Sequence, residues 1–217
     1  MLKTYKYVLF DLDGTLTDPK LGITKSVQYS LKHFDINVTN LDSLISFIGP
    51  PLKDSYMQFY NFDEQSAYQG IEKYREYFND IGIFENALYD GIESLLHKLI
   101  EKDKTLFLAT SKPTVFAKRI LEHFKINDYF VFIGGSELDG TRSKKSEVIQ
   151  YVLNENNILN LDEVVMIGDR KHDIIGANEV GIDSIGVLYG YGDYEELKNA
   201  SANYIVSDII ELSELLI

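Results

Sequence analysis

Residues 7–15 read Tyr7-Val8-Leu9-Phe10-Asp11-Leu12-Asp13-Gly14-Thr15, and the reading of the whole chain turns on them. Tyr7 to Phe10 is a short run rich in β-formers that ends abruptly at an acid. The run is continuous rather than alternating, as expected of a strand covered on both faces. In an extended chain, residues two apart face the same side, so Asp11 and Asp13 point into one cleft while Leu12 points away. Gly14 then permits a sharp departure of the chain. Acids at alternate positions followed by glycine also belong to calcium loops. Such a loop, however, needs a further acid or Asn before its glycine, helices on both sides and a closing glutamate. Taken alone, the stretch fits an ordinary polar turn after a strand equally well.

Comparable apolar runs recur at 105–109, 129–133, 164–167 and 182–188. Between them, Ile92, Leu95, Leu96, Leu99 and Ile100 are spaced at three and four, as are Val115, Ile120, Leu121 and Phe124, and Val148, Ile149, Val152 and Leu153. Strands alternating with helices predict an α/β fold, a doubly wound parallel sheet with a Rossmann-like core. Residues 19–83 break the alternation with helical runs at 23–34, 41–48 and 71–78, punctuated by Gly49-Pro50-Pro51. The expected organisation is therefore an α/β core of residues 1–18 and 84–217, carrying a helical cap of residues 19–83 inserted after the first strand. An insertion there sits over the carboxyl ends of the strands, where open parallel sheets bind ligands. A peripheral helical decoration is the competing reading.

Composition narrows the function. The 217 residues include 21 Lys and Arg against 34 Asp and Glu, a net charge of −13. Nucleic-acid polymers and anionic membranes call for a basic stripe, so neither is an expected partner. With no cysteine, disulfides, thiolate metal sites and thiol nucleophiles are excluded. The apolar run before Asp11 is too short for a signal peptide, and no uncharged stretch approaches the ~18 residues of a membrane helix. The expectation is a cytoplasmic protein.

A second acid pair changes the weight of the first. The run Val164-Val165-Met166-Ile167 ends in Gly168-Asp169, with Asp173 four residues on, in the first turn of a helix beginning near Lys171. Acids there commonly serve the helix dipole. Four carboxylates converging on one sheet edge, however, repel unless a cation or a shared proton relieves them. Oxygen-only ligands favour a hard cation, with magnesium the default. The run 105–109 leads into Thr110-Ser111-Lys112-Pro113, which offers hydroxyls and backbone N–H groups at an expected helix N-terminus, an anion site. A plain helix cap is the alternative for either hydroxyl. Lys145 begins a further helix, where a cation opposes the dipole unless an anion offsets it; Lys144 reads as a surface charge. Acids, a cation, hydroxyls and a lysine equip a site for a phosphoryl group.

Asp-Leu-Asp-Gly-Thr after a strand, a strand-terminal Thr-Ser, a downstream Lys and Gly-Asp-Arg-Lys-His-Asp, in this order, resemble the haloacid dehalogenase superfamily of phosphohydrolases. The helical insertion is similar to the caps of phosphoglycolate phosphatases, bacterial 5′-nucleotidases and β-phosphoglucomutases. The resemblance implies that Asp11 is the nucleophile, forming an aspartyl-phosphate, and that Asp13 is the general acid and base. It implies magnesium held by Asp11, the Asp13 backbone carbonyl and Asp169, with Asp173 supporting, and phosphate bound by Thr110, the Ser111 backbone and Lys145. True dehalogenases lack the second acid, so dehalogenation is not expected. The activity implied is hydrolysis of a small phosphomonoester, phosphoglycolate-like. Nucleoside monophosphates, a mutase and a non-catalytic binding protein are the alternatives. Substrate choice would reside in the cap, with hinges near 16–19 and 81–84.

Overall fold

The computed structural model describes residues 3–217. In chain order, β1 (Tyr7–Phe10) and β2 (Thr17–Asp18) lead into α1 (Lys20–Lys32), a 3₁₀ segment at Leu41–Phe47, α2 (Leu52–Tyr60) and α3 (Glu64–Phe78). A 3₁₀ turn at Gly82–Phe84 and β3 (Ala87–Leu88) close this stretch. There follow α4 (Ile92–Glu101), β4 (Thr105–Pro113), α5 (Thr114–His123), β5 (Phe130–Ser136) and α6 (Lys145–Glu155). The chain ends with β6 (Val164–Gly168), α7 (Lys171–Val180), β7 (Asp183–Val187), α8 (Tyr194–Asn199), β8 (Tyr204–Val206) and α9 (Ile209–Leu216). Two compact units result: Asp18–Ala87 is one, and the residues up to Thr17 with Leu88–Ile217 are the other.

The larger unit is built on a six-stranded sheet in the order β5-β4-β1-β6-β7-β8, every pairing parallel. Strand β1 lies between β4 and β6, at the point where the winding reverses; ligands bind outside the carboxyl ends of strands at such a point. Val8, Leu9 and Phe10 are wholly buried, which is why the run carries no polar alternation. Leu9, Phe107 and Met166 from three adjacent strands pack with Val148, Val152 and Leu153 of α6 in one apolar cluster. Helix α4 buries Ile92, Leu95, Leu96 and Leu99, while Ile100 lies outside the stripe, 43% exposed. Strand β8 and helices α8 and α9 were not expected from the sequence. Three strand residues and a six-residue helix are too short to show a period.

The smaller unit, Asp18–Ala87, is helical. Ser30 of α1 donates a 2.7 Å hydrogen bond to the Gly70 carbonyl of α3, so the two helices meet closely. Phe47 and Tyr56 fill the interior, with half-buried Phe62 stacked on Tyr56 at 5.6 Å. Residues after the Gly49-Pro50-Pro51 turn form α2, a helix not among the runs expected from the sequence. Three lysines of this unit are engaged: Lys20 of α1 with Asp42 at 2.7 Å, Lys25 of α1 with Glu85, and Lys53 of α2 with Glu64. Among the described residues no helix is long and apolar enough to cross a membrane.

Candidate active site

Sheet register delivers the acids to one edge. Phe10 is paired with Leu108 on one side and Ile167 on the other, and the Asp11 N–H donates to the Ile167 carbonyl at 2.9 Å. Asp11, Ala109-Thr110 and Gly168-Asp169 therefore follow directly on the last residues paired between β1 and its two neighbours. Gly14 turns the chain with φ +85°, and a Cβ there would lie 2.2 Å from Asp169 Oδ2. Only glycine meets both demands.

Carboxylate oxygens of Asp11, Asp169 and Asp173 lie within 4.8 Å of one another, and all three residues are buried. The Lys145 ammonium sits among them, 2.7 Å from Asp11 Oδ1 and 3.0 Å from the Ala109 carbonyl. It also lies 2.8 Å from Asp173 Oδ1, an ion pair whose angle falls short of a hydrogen bond. The other oxygen of Asp173 accepts from the Arg170 N–H at 3.1 Å and so caps α7. Lys145 is 6% exposed, whereas Lys144 faces solvent. Burial opposes the charge on Lys145, but Asp11 and Asp173 outweigh it and hold the ammonium above its ordinary pKa.

The acids respond in the opposite sense. Burial, reinforced by Asp173 and Asp11, pushes the Asp169 carboxyl well above its ordinary pKa. Burial raises Asp173 to about 6 despite Lys145. Asp13 is raised by burial too, with Lys112 pulling it back. Four carboxylates thus face two ammonium groups, leaving two negative charges uncompensated when all are ionised. An all-oxygen donor set with that excess charge fits a hard divalent cation.

Asp13 stands apart from the three-acid cluster. Its Oδ2 is paired with Lys112 at 2.8 Å, a partner that sequence spacing did not reveal. Thr110 is buried, and its hydroxyl accepts from the Lys112 N–H at 3.3 Å. Helix α5 starts at Thr114, directly after the Thr110-Ser111-Lys112-Pro113 stretch, but β4 runs on to Pro113, so neither Thr110 nor Ser111 is the helix cap. The cause is pairing of the extension with β5, up to Pro113 opposite Ser136, together with a 2.7 Å hydrogen bond from the Ser136 hydroxyl to the Ser111 carbonyl. Thr110 and Ser111 lie at the same sheet edge as the acids, as strand-end rather than helix-start residues.

A second element escaped the sequence reading. After β7 the chain passes over Asp169 as Tyr189-Gly190-Tyr191-Gly192, and the Tyr191 N–H donates to Asp169 Oδ2 at 2.7 Å. Thr15 Oγ1 approaches the other oxygen at 3.4 Å, and the Tyr189 hydroxyl donates to the Thr15 carbonyl at 3.1 Å. The Gly190 Cα approaches so closely that a Cβ would lie 2.3 Å from the Gly14 carbonyl oxygen. A Gly-x-Gly just past a strand of the same sheet was the available signal. Glu196 of α8 secures the Asp169 loop from behind, accepting from Arg170 Nε at 2.9 Å and the Lys171 N–H at 2.8 Å.

The family model for haloacid dehalogenase-like hydrolases matches residues 8–187. A 5′-nucleotidase of Pseudomonas aeruginosa is 46% identical over 98% of this chain and 96% of its own length. The tyrosine-protein kinase PtkA of Mycobacterium tuberculosis is 37% identical over 96% of this chain and 72% of its own. A phosphoglycolate phosphatase of Vibrio parahaemolyticus also matches over 97% of this chain, at 24% identity. The crystal structure of a predicted phosphatase from Clostridium acetobutylicum superposes with a TM-score of 0.95 and 57% identity, covering 97% of each chain.

Proposed function

Because the chain belongs to the haloacid dehalogenase-like hydrolase family and is a phosphatase, we propose that it hydrolyses small phosphomonoesters with magnesium, by way of a phosphorylated Asp11. Nucleoside 5′-monophosphates are the proposed substrates. The far higher identity to the nucleotidase than to the phosphoglycolate phosphatase supports that choice. The observation that carries the chemistry is the buried cluster of Asp11, Asp169 and Asp173 with Lys145 at its centre and Asp13 beside it.

In this reading, the Asp11 carboxylate attacks phosphorus in line, and the bond to the ester oxygen breaks as Asp13 gives that oxygen a proton. Water then attacks the aspartyl-phosphate, Asp13 takes its proton, and Asp11 is regenerated with release of phosphate. Splitting one displacement into two is the benefit of a covalent intermediate, and the acid–base group contributes ~10²–10⁴-fold. Asp11, Asp169 and the Asp13 carbonyl would hold the metal, with Asp173 supporting. Bound magnesium supplies charge neutralisation and a template for the phosphoryl oxygens. Lys145, the Thr110 hydroxyl and the Ser111 N–H would bind those oxygens, where preorganised donors lower the barrier most. Lys145 also holds Asp11 against the repulsion of its neighbouring acids. Choice among leaving groups is assigned to the helical unit Asp18–Ala87.

Phosphate release from a panel of nucleoside 5′-monophosphates, phosphoglycolate, hexose phosphates and pyrophosphate, each with magnesium and with EDTA, tests the reading. Magnesium-dependent release led by the nucleotides is the expected result. Release led by phosphoglycolate overturns the substrate class alone. No release, with isomerised sugar phosphate formed instead, overturns hydrolysis.

A further inference from the structure

Lys112 lies on the extension of β4, next to Thr110 and Ser111, and its Nζ is 2.8 Å from Asp13 Oδ2. The two side chains are only 7% and 11% exposed, so the pair is little screened by water. The extension is held in place: the Lys112 N–H is tied to the Thr110 hydroxyl, and the Ser111 carbonyl to Ser136. Lysine Nζ therefore approaches Asp13 from a fixed backbone. The other oxygen of Asp13, Oδ1, is buried and has no hydrogen-bond partner among the described residues. Lys145 does not share the task, being paired with Asp11 and Asp173.

A carboxylate that must hand a proton to one oxygen and accept it from another has to present a single oxygen at a fixed angle. A side chain free to turn about its terminal bond presents either oxygen in many directions. Holding one oxygen in a charge-assisted hydrogen bond fixes the plane and leaves the second oxygen to the reaction. We infer that Lys112 is the positioning residue for Asp13: it grips Oδ2 so that Oδ1 is the oxygen that gives and takes the proton. This rests on the reading of Asp13 as the acid and base.

The test is the leaving-group dependence of kcat/KM, which covers events only up to departure of the leaving group. The full chain with magnesium is assayed on p-nitrophenyl phosphate, whose leaving group departs readily without a proton, and on phenyl phosphate, whose leaving group does not. Lys112→Met keeps the length of the side chain and removes its grip. It should lower kcat/KM on phenyl phosphate by ~10²-fold while leaving p-nitrophenyl phosphate within a factor of a few. Lys112→Arg, which restores a donor, should recover most of the loss. An equal fall on both esters, or a rise in KM alone, would overturn the inference and make Lys112 a substrate-binding or structural residue. Should Lys112→Met not fold, Lys112→Leu, which also lacks a donor, gives the same comparison. Asp13→Asn is the control. If it shows no dependence on the leaving group, the acid–base reading itself has failed and the inference falls with it. A dependence seen for Asp13→Asn but not for Lys112→Met overturns the inference alone.

Discussion

The backbone N–H of Tyr191 donates to Asp169 Oδ2 at 2.7 Å, so the loop after the neighbouring strand β7 fixes the orientation of an acid at the end of β6. The contact requires Gly190, since a Cβ there would also lie 2.4 Å from the Asp169 Cβ. Gly190→Ala should displace the loop, cost about 1–3 kcal/mol of stability and weaken magnesium binding ~10–100-fold, the usual scale for losing an outer partner of a metal ligand. Calorimetric titration of the variant with magnesium measures this directly. An unchanged Kd would show that the loop does not orient Asp169.

Lys145→Ala and Lys144→Ala should behave very differently. The first leaves Asp11 and Asp173 buried without their shared cation, and should lower metal-free stability by about 3 kcal/mol and kcat/KM by ~10²–10³-fold. Lys144 faces solvent, and its removal should stay within about 0.5 kcal/mol of the parent. Denaturant melts and steady-state assays of the pair decide it, and matching effects would contradict the site as described.

Asp11→Asn should abolish turnover while leaving the fold intact. The amide is nearly isosteric, so the central strand is undisturbed, but the proposed nucleophile and one carboxylate oxygen of the three-acid cluster are lost together. Circular dichroism and phosphate release on the same preparation are the measurements. Sustained hydrolysis by a folded variant would rule out Asp11 as the nucleophile.

Stabilisation by magnesium should grow with pH. Burial raises the Asp169 carboxyl well above its ordinary value and Asp173 to about 6. A carboxyl whose folded pKa exceeds its unfolded one contributes stability that is complete below the unfolded pKa and disappears as pH rises through the folded pKa. Between about pH 4 and the folded values, the metal-free site therefore loses this contribution, and a divalent cation that replaces the protons gains by the same linkage. Thermal melts with and without magnesium should diverge as pH climbs past about 6. A shift in Tm that is constant with pH would contradict binding at these acids.

Much of the site could be read from the chain because its residues are tied to strand ends. Asp11 and Asp169 each follow an unbroken apolar run, and the strand register carries both to one edge. Lys145 announced itself as a cation at a helix start. The grip of Lys112 on Asp13 joins segments about a hundred residues apart, and the loop reaches Asp169 from 22 residues away, past a helix and a strand, so no local period records either contact. The full length of β4 was not readable either: its apolar run ends at Ala109, whereas pairing with β5 keeps the chain extended to Pro113. The substrate was the least legible part. Phosphoglycolate was the leading expectation, and the nucleotide reading now rests on overall likeness rather than on any residue of the helical unit.

The central claim is that Asp11 is phosphorylated in turnover. The stereochemical course at phosphorus tests it most directly, using a phosphorothioate ester made chiral with oxygen isotopes and hydrolysed in isotopically labelled water. Two successive in-line displacements, at Asp11 and then at water, give overall retention of configuration, and retention is the result this account predicts. Inversion would mean that water attacks the ester in a single step, and would contradict it.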